Sequence, residues 1–408
     1  MLKVLTAQWA STLFVGGVSF LVTIFIARNL GPQAFGMYAS ALAAGAMVGI
    51  LLDGGMRNLV LRERTRVSPH LQTISPDLPG YALGHALCTS GVLIILAVLL
   101  FQDVNLRLAL ATIACFLALS LNQVTSSFKR GDGDLIADFR FQVGARAVSA
   151  VLIVLCVALG YREPWQILGI WAFAGFAYLA LFKSYWQAPR WYGLTKVYRA
   201  VLPFIALDLA ITIYFRSNLI LLSFFDVAPD LIGQFAAAFR ICEAVIMLAS
   251  PIGLLIFRHY RITNDSIEGQ RKHFAKLLTL AISTSIVGTA IVWVMSNQII
   301  QWLYGPKYPN AVDMMQILAL MLIFVLPNTM LTQASLALNR HRSIVFAAAV
   351  VAATSLALNT LMIPVYGIQA AAWMSVLTEA LMLAITASLF FWPSHQKELS
   401  YSSSARTK

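Results

Sequence analysis

Residues 201–225 read VLPFIALDLAITIYFRSNLILLSFF, 226–230 read DVAPD, and 231–257 read LIGQFAAAFRICEAVIMLASPIGLLIF. A helix rises about 1.5 Å per residue, so roughly 20 apolar residues span a bilayer, and each long run suffices. Yet Asp208, Arg216, Arg240 and Glu243 lie well inside them. A charge near the bilayer midplane costs about 2.5–3.5 kcal/mol and normally faces a cavity or a partner. Two adjacent spans with four such charges point to a polar path through a membrane.

The composition fits that reading. Of 408 residues, 59% are hydrophobic and only 11% charged, with a mean hydropathy of +0.77. Soluble domains carry about 25% charged residues, so the fold class expected is an all-α polytopic membrane protein. Long continuous runs, rather than alternating ones, favour helices over a barrel. Twelve candidate spans fall near 5–26, 36–56, 81–101, 107–127, 141–160, 165–185, 201–225, 231–256, 275–296, 314–336, 343–363 and 368–391. The first is long and lacks a clear cleavage site, so it reads as a retained helix rather than a signal peptide.

Charge distribution sets orientation. With the N-terminus inside, Lys3, Arg57, Arg62, Arg64, Arg66, Lys129, Arg130, Arg140, Lys183, Arg190, Lys196, Arg199, Arg258, Arg261, Arg271, Lys272, Lys276, Arg340, Arg342, Lys397, Arg406 and Lys408 all fall on the cytoplasmic side. Only Arg28, Arg107, Arg162 and Lys307 fall on the other. The asymmetry predicts a cytoplasmic-membrane protein with both termini cytoplasmic. The net charge of +12 is thus a topology signal, not a nucleic-acid footprint; contact with anionic membrane lipid is the lesser reading. Cys88, Cys115, Cys156 and Cys242 lie in spans without C-x-x-C spacing and read as packing residues. His70 and His85 match no metal signature. No cofactor or metal is expected.

An internal repeat divides the chain. NLGPQAFGMYASALAAG from Asn29 aligns with DVAPDLIGQFAAAFRIC from Asp226, pairing Pro32 with Pro229, Gly36 with Gly233 and Tyr38 with Phe235. A weaker echo pairs Arg140 with Arg342, Ala150 with Ala352 and Trp171 with Trp373. Two parallel six-helix lobes follow, 1–199 and 200–392, with 393–408 as a polar cytoplasmic tail. The proline ends one helix and opens the next, and the small residues after it allow close backbone approach.

ARNLGPQAFGMYA, LLDGGMRNLVLRE, YFRSNLILLSFFDVAPDLIGQFAAAFRICE, WLYGPKYPNAVDMMQILAL and LMIPVYGIQAAAW resemble the prokaryotic polysaccharide-biosynthesis transporters. These are oligosaccharide flippases of the multidrug/oligosaccharidyl-lipid/polysaccharide exporter superfamily. The resemblance covers nearly the whole chain. It implies two lobes around a central cavity that opens to alternate sides, a lipid-linked glycan as substrate, and other polysaccharide-assembly proteins as partners. The family often has an acidic residue two places after the position of Arg216, where this chain has Asn218, which puts cation coupling there in doubt.

The buried residues are weighed on their chemistry. Arginine donates a planar fork of hydrogen bonds to phosphate and stays ionised when partly desolvated. Arg216 and Arg240 fall at similar depth on antiparallel spans and are the expected substrate-binding cations. The plainer alternative is an internal ion-pair network, since Arg240 and Glu243 share a helix face. Asp208, Glu243, Glu379 and Asn218 are candidate coupling or cavity residues, and Arg28, Asp53 and Arg57 candidate gate residues. Arg146 is expected to snorkel from a helix end. Asn122, Gln123, Asn328, Gln333 and Asn359 suit cavity lining or interhelical hydrogen bonds. Three functions compete: a glycan-lipid flippase, an ion-coupled multidrug exporter, and a membrane-embedded glycan polymerase or ligase. The last would need a sizeable outside loop with clustered catalytic groups, and no such loop or enzyme motif is visible.

Overall fold

The computed structural model describes residues 2–65, 77–191, 194–262, 267–338 and 340–391. The expected tail at 393–408, His70 and the side chains of Lys3, Arg66, Lys196, Arg258, Arg261, Arg271, Lys272 and Arg342 lie outside the described residues. The helices are α1 (Leu2–Asp53), α2 (Met56–Arg64), α3 (Leu78–Leu100), α4 (Asp103–Gly131), α5 (Leu135–Ala158), α6 (Pro164–Ala180), α7 (Leu194–Phe224), α8 (Pro229–Ile262), α9 (Ile267–Val294), α10 (Ser296–Leu303), α11 (Asn310–Ala319), α12 (Leu322–Ala337) and α13 (His341–Phe391).

Among the described residues, six helices are long and apolar enough to cross a membrane, or eight when two bent pairs each count as one span. Two of the six are themselves hairpins. Gly31 (φ 77, ψ 171) breaks α1 and Pro32 opens its second half, using the positive φ that glycine alone adopts freely and the fixed φ that suits proline at a helix start. Thr23 and Leu42 consequently line one cavity, although a straight helix would hold them about 28 Å apart. Gly367 (φ 56, ψ −131) breaks α13 likewise, so that Ser355 and Ser375 both meet the neighbouring residues Ser217 and Asn218 of α7. With the 17-residue α6 and the 34-residue α8, the chain makes about twelve passes, in two six-helix lobes around a central cavity.

Among the described residues, the most extensive helix contact joins the lobes, α1 against α8. Its centre is the sequence repeat. A Cβ built on Gly36 would run into the Pro229 carbonyl oxygen and lie 2.8 Å from the Gly233 nitrogen. A Cβ built on Gly233 would run into the Pro32 carbonyl oxygen and lie 3.1 Å from the Gly36 nitrogen. Each repeat-related glycine thus accommodates the other's helix start, as expected of surfaces related by a local two-fold. Around them pack Phe35, Tyr38, Phe235, Ala236, Tyr304 and Tyr308, all buried. The Tyr308 hydroxyl donates to the Ala27 carbonyl oxygen (2.7 Å), satisfying an acceptor in the last turn before the Gly31 break.

The opposite end of the bundle, the basic end, is built differently. Gly54 (φ 52) and Gly55 (φ 71) turn the chain from α1 into α2. His85 of α3 packs against Gly54. Its Nε2 donates to the Leu51 carbonyl oxygen (2.8 Å) and its Nδ1 accepts from the Tyr198 hydroxyl of α7 (2.8 Å). A carbonyl can only accept, which fixes the neutral tautomer. Both ring nitrogens are thereby engaged. Lys129, one of the basic residues at this end, turns inward: it is buried, with its Nζ 4.3 Å from the Tyr185 ring centroid and 4.6 Å from that of Phe182. Aromatic faces attract such a cation.

Candidate functional site

α7 bends by 64° between Val197–Ile213 and Phe215–Phe224, and Arg216 stands in the first turn beyond the bend. The antiparallel α8 carries Arg240 and Glu243 one turn apart, on a common face. Glu243 pairs with both arginines. Its Oε1 accepts from Arg216 Nη1 at 2.8 Å and its Oε2 from Arg240 Nη1 at 2.9 Å. Arg240 also donates through Nη2 to Thr23 Oγ1 of α1 (3.4 Å), so the cluster reaches the other lobe. Thr23, Phe35, Tyr38, Ala39 and Leu42 from α1 close a cavity of about 40 Å³ around these charges, with Leu219, Ala236 and Phe239 opposite.

A third arginine lies beside it. Arg146 of α5 does not extend toward the helix end, as the sequence reading expects. Its guanidinium lies 4.7 Å over the Trp171 ring and donates to Ser19 Oγ. Arg146 and Trp171 line a small cavity that shares Thr23 and Tyr38 with the first. The stacked contact favours a cation, and the inward lean comes from Trp171 on a different helix, which spacing along α5 does not reveal. Arg146, Arg216, Arg240 and Glu243 together carry a formal charge of +2 at the junction of the lobes.

The remaining candidates separate into other places. At the basic end, Arg57 pairs with Asp208 across the lobes (Nη2–Oδ2, 2.8 Å) and donates to Gln123 Oε1 (2.7 Å). Asn58 Nδ2 donates to the same Asp208 oxygen (3.3 Å), and the Arg57 amide donates to Asp53 Oδ1 (3.3 Å). Asp53, Arg57, Gln123, Asp208 and Thr212 line a cavity of about 190 Å³. Asp208 is therefore a partner of the gate candidates and not of Arg216. Asn218 is buried within the second lobe, donating to Ser375 Oγ (2.6 Å) and the Ala371 carbonyl oxygen (3.3 Å). Two helical residues onward is a rotation of about 200°, which turns Asn218 away from the arginines. Glu379 accepts from Asn328 Nδ2 (2.7 Å) between α12 and α13. Arg28 is exposed and lines neither cavity.

The fold is shared with known transporters. The lipid II flippase MurJ in an inward closed conformation superposes with a TM-score of 0.72 at 14% identity, covering 95% of this chain and 87% of that one. A multidrug resistance MATE family transporter of the MOP superfamily gives 0.67 at 13% identity in an inward-facing conformation, covering 98% of this chain and 96% of that one. An outward-facing one gives 0.57 at 13% identity, covering 100% and 97%. No curated protein sequence matches the chain. The family model described as polysaccharide biosynthesis protein matches residues 5–257, more than half of the chain. This multi-pass membrane protein, built on the fold of the MOP-superfamily transporters, therefore belongs to the polysaccharide biosynthesis protein family.

Proposed function

We propose that the protein is a flippase that moves a pyrophosphate-linked oligosaccharide lipid across the cytoplasmic membrane by alternating access. The observation that carries this reading is the convergence of Arg216 and Arg240 from one lobe with Arg146 and Thr23 from the other. A headgroup held between lobes can be released to either side by rocking them. Arginines are suited to the task because each can bind phosphate oxygens bidentately while remaining charged. The lobes correspond to 1–199 and 200–392, and the basic end faces the cytoplasm under the positive-inside rule. In the conformation described, the arginine cavity of about 40 Å³ has room for only a few water molecules, far less than an oligosaccharide headgroup needs. It is a closed state, and headgroup entry requires the lobes to separate at the basic end, where the 190 Å³ cavity already lies.

An ion-coupled drug exporter is the second reading, favoured only by the shared fold. A site with three arginines and one carboxylate suits an anion better than a cationic drug. The test is transport in proteoliposomes loaded with a lipid-linked oligosaccharide, read by protection of the sugar from a membrane-impermeant glycosidase. Arg216→Ala and Arg240→Ala are each expected to reduce flipping by more than tenfold, while a cationic dye is not transported by either variant or by the unaltered protein. Normal flipping by both variants, or dye export by the unaltered protein, overturns the proposal.

A further inference from the structure

Glu243 occupies an unusual position for a carboxylate in a phosphate site. Each of its two oxygens takes one Nη1 from a different arginine, at 2.8 and 2.9 Å, so the carboxylate fills the gap between the guanidinium groups. A phosphate group presents the same arrangement, two oxygens on one small centre with delocalised negative charge. Among the residues lining the two adjoining cavities, Glu243 is the one acidic side chain. The space beside it, about 40 Å³, is enough for only a few water molecules. The three side chains are neither sealed nor free, with 20% of Glu243, 30% of Arg216 and 26% of Arg240 exposed.

We infer that Glu243 is a resident anion, a specificity-determining residue that holds the phosphate seat when the protein is empty and is exchanged for the headgroup when it is loaded. This rests on the reading of the arginine cluster as the headgroup site. The physical need is clear on both sides of the cycle. Without a carboxylate, the empty transporter would bring three guanidinium groups together in an apolar interface as it resets, and uncompensated buried charge is strongly unfavourable. With Glu243, the return step carries an internal ion pair instead. On loading, the two-methylene arm of Glu243 swings away and phosphate oxygens take over its hydrogen bonds. On release, the carboxylate competes for the same donors and helps expel the product. Only a ligand that offers both arginines at least what the carboxylate offers can load. An uncharged lipid alcohol cannot.

The experiment uses the purified full-length protein, with farnesyl diphosphate as the probe and farnesol as the tail control. Glu243→Gln keeps the size of the side chain and removes the competing charge. It is expected to bind farnesyl diphosphate about tenfold more tightly, equivalent to about 1.4 kcal/mol, with farnesol binding unchanged. In reconstituted vesicles the same variant should half-saturate at lower substrate concentration but turn over more slowly, because release and reset both lose the carboxylate. Glu243→Asp, whose shorter arm keeps the charge but cannot span both arginines, should bind with intermediate affinity, and it serves if the Gln variant fails to fold. Unchanged or weaker diphosphate binding in both variants makes Glu243 a brace and overturns the proposal. Unaltered diphosphate binding in Arg216→Ala and Arg240→Ala is a separate result, which defeats the headgroup reading itself.

Discussion

The two ends of the lobe interface are closed by opposite means. At one, the starts of repeat-related helices meet backbone to backbone, where Gly36 and Gly233 leave no space for a Cβ, inside a shell of buried aromatic and alanine side chains. At the other, Arg57 and Asp208 form an ion pair with 34% of Arg57 exposed, next to a cavity of about 190 Å³. The first closure is dispersive and depends on shape, and it is lost steeply with small displacement. The second is partly solvated and worth about 0–1 kcal/mol. A molecule in this state opens more readily at the basic end. The interface thus holds one rigid seal and one soft one, with the arginine cluster between them.

The largest effect is expected from breaking the rigid seal. Gly36→Val and Gly233→Val each place a branched side chain against the partner's backbone. Overpacking of this kind costs about 1–3 kcal/mol, enough to lower the population of the closed Pro–Gly end by up to about 100-fold. Cysteines introduced at Leu30 and Val227 should then become labelled by a membrane-impermeant maleimide, and flipping should fall in proportion. If labelling stays at its background level in both variants, the glycine contact is not what keeps that end shut. Because the two positions are related by the repeat, their effects should be similar in size, and a difference of more than tenfold would argue against a symmetric seal.

This contrast also shows how far the sequence could be read. The repeat that places Pro32 and Gly36 in register with Pro229 and Gly233 was legible in the sequence, as were its small residues suited to close backbone approach. That the two copies meet each other across the lobes was not, because nothing in either segment names its partner. The Arg240–Glu243 pair was legible from its spacing on one helix. The Arg216–Glu243 bond joins two helices across a turn, and a bend of 64° in α7 contributes to its geometry without any proline or glycine at the break to announce it. The Arg57–Asp208 pair links residues 151 positions apart, and Arg146 turns toward a tryptophan on another helix. Such contacts depend on which helices become neighbours, a property of the assembled bundle rather than of any one span.

A smaller effect is expected at the soft seal. Arg57→Ala or Asp208→Asn removes the ion pair but leaves the surrounding helices packed, so the closed state should lose no more than about 1 kcal/mol, a shift of roughly fivefold. A cysteine at Thr212, which lines the adjacent cavity, reports the change as faster labelling from the basic side. Exchanging the charges in Arg57→Asp with Asp208→Arg should recover part of the loss, since the interaction between lobes is restored in reverse. A double-mutant cycle gives the coupling directly. A coupling above about 3 kcal/mol would make this closure as firm as the glycine one and remove the distinction drawn between them.

The smallest effect concerns His85, which ties α1 and α7 together through Leu51 and Tyr198. Tyr198→Phe deletes the hydroxyl donor and leaves Nδ1 of the histidine without its protein partner. Tyr198 is itself partly exposed, so water can replace the lost donor, and the net cost should be near the low end of a single hydrogen bond, about 0.5 kcal/mol. Labelling at Thr212 should rise by about twofold, without a change at Leu30 or Val227. His85→Ala should cost more, because it also frees the Leu51 carbonyl and empties the space packed against Gly54. If the soft seal is a sum of modest polar contacts, Tyr198→Phe combined with Asp208→Asn should be additive. Strong synergy between them would mean that α7 leaves this end as one cooperative unit, gripped by both contacts at once.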